Sequence, residues 1–143
     1  MKRKLVNMLW AVGLLTAVSL CLPACDRELE VQQAYDFTLE TMPVQKDIRR
    51  GETAEIRSSL KRAGRFAGAR YTLRYFQSEG KGMLRLDKGA ALKPNDRYPL
   101  VREEFRLYYT SQSADRQTID VYIEDNFGKV QQLTFSFNHK KAD

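Results

Sequence analysis

Cysteine, tryptophan and histidine are nearly absent from this chain of 143 residues, and the few present lie near its ends. Both cysteines, Cys21 and Cys25, and the single tryptophan, Trp10, fall within the first 25 residues. From Asp26 onward there is neither, which excludes a disulfide framework, a cysteine-ligated metal and a thiol nucleophile there. The one histidine, His139, stands beside Lys140 and Lys141 close to the C-terminus. It reads as a solvated tail residue, because a Ser-His-Asp arrangement would need a partner to orient it. Gly80-Lys81-Gly82 lacks the spacing and the following helix of a phosphate-binding loop, and reads as a hairpin turn. Asp87, Asp96, Asp115, Asp120, Glu124 and Asp125 show no calcium-loop spacing. Turn capping is the simpler use for Asp125 and Asn126. No catalytic residue, metal or cofactor is expected.

What the chain does have begins at its N-terminus. Lys2, Arg3 and Lys4 precede a mostly apolar run from Leu5 to Leu22, and the next charge is Asp26. That is the shape of a secretory signal. The run approaches the ~20 apolar residues that span a bilayer, but its ending differs from a membrane anchor. Leu22-Pro23-Ala24-Cys25 resembles the bacterial lipobox, with an aliphatic residue three before the cysteine and a small one just before it. Cleavage is therefore expected between Ala24 and Cys25, with lipid carried on the Cys25 thiol. Residues 1–24 read as a lipoprotein signal peptide, 25–33 as lipidated cysteine and tether, 34–139 as one domain, and 140–143 as a tail.

Cleavage also changes the charge. The formal +6 includes Lys2, Arg3 and Lys4, so the mature chain keeps 21 basic against 18 acidic residues, or +3. Asp26-Arg27-Glu28-Leu29-Glu30 reads either as a plain solvated linker or as an acidic sorting signal of the kind that sends some lipoproteins to the cell surface.

From Tyr35 onward the apolar period is two. Tyr35, Phe37 and Leu39 alternate with polar residues, as do Tyr71, Leu73 and Tyr75, then Phe105, Leu107 and Tyr109. Ile119, Val121 and Ile123 repeat the pattern, and so do Leu133, Phe135 and Phe137. Turn residues separate these runs at Arg50-Gly51, Gly64 to Gly68, Gly80 to Gly82, Pro94-Asn95-Asp96 and Asp125 to Gly128. Thr53 to Leu60 fits a strand, with Ala54, Ile56, Ser58 and Leu60 on one face, and also a short helical stripe; its strand neighbours favour the strand. With Met83 to Leu86, this makes about seven short strands. The fold expected is all-β, an immunoglobulin-like β-sandwich, with an open barrel as the alternative.

If the alternating apolar residues face inward, Thr72, Arg74 and Phe76 face outward on one strand, and Asp120, Tyr122 and Glu124 on another. In an immunoglobulin-like topology these strands are neighbours. Arg74, Phe76, Asp120, Tyr122 and Glu124 then form an aromatic and charged face of the kind found at protein contacts, or else ordinary cross-strand pairs. Lys61, Arg62, Arg65, Arg70 and Arg74, interleaved with Phe66 and Tyr71, read as a solvated basic loop; nucleic acid is not an expected partner.

Several segments in order carry a resemblance: Glu55-Ile56-Arg57, Arg74-Tyr75-Phe76-Gln77, Gly80-Lys81-Gly82-Met83-Leu84, Pro94-Asn95-Asp96-Arg97-Tyr98, Phe105 to Ser111, Asp125-Asn126-Phe127-Gly128 and Phe135-Ser136-Phe137-Asn138. From about Tyr35 to Asn138 the chain resembles the TraQ conjugal-transfer proteins of Bacteroides-type conjugative transposons. The resemblance implies a lipid-anchored accessory part of the cell-envelope machinery for DNA transfer, in the outer membrane, with other apparatus proteins as partners. It assigns no catalytic or ligand residue. The alternative is a surface adhesin or glycan-binding module using Tyr108, Tyr122 and Phe76 as an aromatic platform.

Overall fold

Alternation of inward apolar and outward polar side chains drives the chain into two stacked sheets. The structure, a computed structural model, describes residues 35–65 and 67–141. The signal-like segment, Ala24, Cys25, the tether and Phe66 lie outside the described residues. The strands are β1 (Phe37–Thr41), β2 (Asp47–Ile48), β3 (Thr53–Arg62), β4 (Tyr71–Glu79), β5 (Gly82–Leu86), β6 (Tyr98–Leu100), β7 (Glu104–Ser111), β8 (Gln117–Asp125) and β9 (Val130–His139). One sheet has the order β1-β3-β7-β5 and the other β2-β9-β8-β4-β6. Setting aside β2 and β6, these are the ABED and GFC sheets of an immunoglobulin-like sandwich. The described residues contain no helix, and Thr53–Arg62 is a strand.

Seven strands match those legible in the alternation; β2 and β6 are additional. Both are too short, at two and three residues, to display a period. β2 exists because the chain leaves β1, passes the helix- and strand-breaking Pro43, and joins the other sheet parallel to β9. β6 pairs with β4 within the long connection from β5 to β7. His139 corrects the tail reading: it ends β9, pairs with Ile48, and its Nδ1 is enclosed without a hydrogen-bond partner. The two-residue parallel pairing of β2 on β9 is what draws it into the sheet.

With no disulfide or tryptophan, the core is aliphatic side chains and aromatic pairs. Tyr109 stacks on Phe137 at 5.2 Å with the planes 4° apart, and Phe37 meets Tyr71 edge-on at 5.1 Å. Gly82 makes the first pair possible, since a Cβ there would lie 2.1 Å from the Tyr109 hydroxyl. The Tyr109 hydroxyl donates to Gln117 Oε1 at 2.6 Å, and Gln117 Nε2 donates to Ser111 Oγ at 2.6 Å. Gln117 is fully buried. This network ties β7 of one sheet to β8 of the other across the loop between them, where an immunoglobulin domain often places a tyrosine.

The turns fall where glycine and asparagine stood in the sequence. Gly51, Gly80, Gly128 and Asn95 take positive φ angles of 87°, 72°, 90° and 68°. Gly80 closes the β4–β5 hairpin. Asp125 Oδ1 accepts the backbone N–H groups of Phe127 at 2.9 Å and Lys129 at 2.8 Å, which is the turn-capping role expected of it.

Candidate functional site

The five outward residues of β4 and β8 do meet on one face. β4 and β8 are antiparallel neighbours, with Arg74 opposite Tyr122, Phe76 opposite Asp120 and Thr72 opposite Glu124. The Phe76 and Tyr122 rings pack edge-to-face at 5.7 Å and 85°. The Arg74 guanidinium lies over both, 5.5 Å from the Phe76 centroid and 5.9 Å from that of Tyr122. Cation–π contact of this kind is worth about 0.5–1 kcal/mol at exposed sites. All five side chains are half-buried, largely by one another.

The two acids of the face are not partners of Arg74. Asp120 accepts hydrogen bonds from Thr134 Oγ1 at 2.7 Å and Ser78 Oγ at 2.9 Å. These bonds, Thr134 first, hold its carboxyl below the usual carboxylate range. Glu124 pairs instead with Arg97 at 3.5 Å. Among the described residues Arg74 has no ion pair, and its Nε is enclosed without a hydrogen-bond partner. The result is a cation lying over two packed aromatic rings, without an ion-pair partner among the described residues. Arginine and aromatic residues ringed by polar groups are the composition of binding hot spots. Among the described residues no group of three metal-ligating side chains occurs.

The basic cluster read in the sequence is dispersed. Arg62 caps the core end, 4.8 Å over the Tyr71 ring, and pairs with Glu103 at 3.3 Å. Arg65 also reaches Glu103, while Arg74 belongs to the other sheet. The aromatic platform is divided as well: Tyr108 faces outward from β7, on the opposite side of the sandwich from Phe76 and Tyr122.

A second surface feature escaped the sequence reading. The outer face of the four-stranded sheet carries an open groove of about 930 Å³, lined among others by Met42, Arg57, Asp87, Arg102, Arg106 and Tyr108. Arg57 and Arg106 are direct cross-strand partners, a like-charge pair that is unfavourable alone. Glu55 Oε1 answers both, at 3.1 Å from Arg57 Nε and 3.3 Å from Arg106 Nη1. Outward parity in β3 and β7 could have suggested these residues, but only the register brings them opposite each other.

Comparison with known proteins bears on what this domain belongs to. The family model of the TraQ conjugal transfer protein matches residues 8–140. The chain belongs to this family. Solved structures agree with the TraQ assignment. A conjugative transposon lipoprotein from Bacteroides eggerthii is 48% identical, with 73% of this chain covering 99% of that one at a TM-score of 0.69. A lipoprotein from Bacteroides thetaiotaomicron is 56% identical over 80% of this chain and 88% of its own, TM-score 0.68. A conjugate transposon protein from Bacteroides vulgatus is 57% identical over 80% and 93%, TM-score 0.66. No curated protein matches the chain. The TraQ family therefore supplies the setting, conjugal transfer, and the local geometry must supply the role within it.

Proposed function

We propose that this TraQ-family protein is a non-catalytic subunit of the conjugative transfer apparatus, held at the outer membrane by lipid on Cys25 after cleavage behind Ala24. It acts by binding other apparatus proteins rather than DNA. Anchoring confines the domain to a surface and raises its effective concentration near its partners. The observation that carries the contact role is the Arg74 guanidinium lying over the packed Phe76 and Tyr122 rings without an ion-pair partner among the described residues, with Asp120 and Glu124 engaged at its rim. A partner carboxylate arriving there would gain a charge-assisted bond without displacing one already made.

The test is crosslinking in cells that carry the native element, with captured proteins identified by mass spectrometry. Arg74→Glu combined with Tyr122→Ala removes a hot spot of about 2 kcal/mol, roughly 30-fold in affinity, so capture of apparatus proteins and transfer frequency both fall. Cys25→Ala gives the same loss by releasing the domain from the membrane. A folded double variant with normal capture and normal transfer sinks the contact role.

A further inference from the structure

The two ends of the sandwich are not alike, and the difference coincides with the point where the chain enters the domain. Tyr35 packs its ring against Gly64, and the Ala63 N–H donates to the Asp36 carbonyl at 2.8 Å. Asp36 is also ion-paired with Lys129. The β3–β4 loop and the β8–β9 turn are laced together there, with Arg70 N–H on Asn126 Oδ1 at 2.8 Å and Asn126 N–H on the Arg70 carbonyl at 3.0 Å. The β6–β7 loop joins them through Glu103, which takes Arg62 and Arg65.

Four large apolar side chains of the described residues are exposed, and three of them are at this end: Val101 at 91%, Val130 at 47% and Phe127 at 38%. Single exposed apolar residues are ordinary on a protein surface, but their gathering on one end is not. The β2–β3 and β4–β5 turns and the β7–β8 loop at the far end carry none among the described residues. Around them Arg65, Arg70 and Arg102 are exposed. Only nine residues, Asp26 to Ala34, separate Cys25 from Tyr35 at this end. Fully extended they reach about 35 Å, and as a flexible chain about half that.

We infer that this end of the domain rests on an anionic lipid surface, with Val101 and Phe127 entering the headgroup region and Arg65, Arg70 and Arg102 on the headgroups. The inference rests on the lipid-anchored reading above. Apolar tips flanked by arginine suit that interface, where the alkyl part of each side chain leaves water and the charge stays with phosphate. Electrostatic attraction of this kind acts only within a Debye length of about 8 Å, so the tether brings these loops repeatedly to the surface and the apolar and arginine contacts hold them there. The Arg74 face, on the side of the sandwich, then stays open to proteins.

The experiment uses the lipidated protein in vesicles of phosphatidylcholine containing phosphatidylglycerol. A nitroxide is placed at Val101→Cys, or at Ala114→Cys in the far β7–β8 loop, and its collisions with oxygen and with a water-soluble nickel complex are compared. The label at position 101 is several-fold less accessible to nickel than the label at 114 and more accessible to oxygen. Arg65→Glu with Arg70→Glu and Arg102→Glu returns position 101 to a water-like value. A protein that floats with the vesicles but shows water-like labels at both positions overturns this inference alone. One that does not float overturns the anchor and this inference with it.

Discussion

The outer faces of the two sheets solve the same problem differently. On the four-stranded sheet, Arg57 and Arg106 face each other and share one oxygen of Glu55, so opposing charge is met within the face. On the five-stranded sheet the acids are taken by Thr134, Ser78 and Arg97, and Arg74 is left to the rings of Phe76 and Tyr122. The lesson is that a mixed surface is not one kind of surface. Where charges pair among themselves a sheet is complete; where a cation is held by rings it keeps bonding capacity for something else.

The comparison depends on the sheets staying back to back, and the largest expected effect comes from cutting their tie. Gln117→Leu removes the partner shared by the Tyr109 hydroxyl and Ser111 Oγ, leaving them only Gln77 and the Ser113 carbonyl, and empties a fully buried polar position. It lowers unfolding free energy by about 2–3 kcal/mol in urea titration, and both faces lose order together. A smaller effect separates the faces. Glu55→Ala leaves Arg57 and Arg106 in direct opposition and costs about 0.5–1 kcal/mol of stability, while partner capture stays normal. Loss of capture in that variant would move the contact role to the groove side.

The smallest effect is a pH dependence. Asp120 has its folded pKa depressed from 3.8, chiefly by the Thr134 bond and then that of Ser78. A depressed carboxyl contributes stability above its unfolded pKa and loses it as pH falls through the folded value. The stability gap between the native chain and Asp120→Asn therefore narrows as pH falls below about 4. A gap for Asp120→Asn that stays constant down to pH 2 would deny those hydrogen bonds their role.

Much of this was legible beforehand. Ile119, Val121 and Ile123, or Phe105, Leu107 and Tyr109, declare a strand with one buried face, and Gly80, Asn95 and Gly128 declare turns, because each follows from local backbone geometry. The outward parity of Arg74, Phe76, Asp120, Tyr122 and Glu124 was readable for the same reason. β2, β6 and the place of His139 were not, since two or three residues carry no period and owe their form to a neighbouring strand. The pairing of charges was equally hidden: Asp120 and Glu124 lie near Arg74 in the face, yet their partners come from β9, β4 and the β5–β6 connection.

The sequence by itself thus determined which residues turn inward, where the chain reverses and, through its motifs, the TraQ family it belongs to. Only the tertiary structure decided that Arg74 lies over two rings without an ion pair among the described residues, and which loops surround the chain at Tyr35. Side-chain direction is set by the nearest peptide units, whereas a charge is satisfied by whatever the register of distant strands brings within a few ångströms.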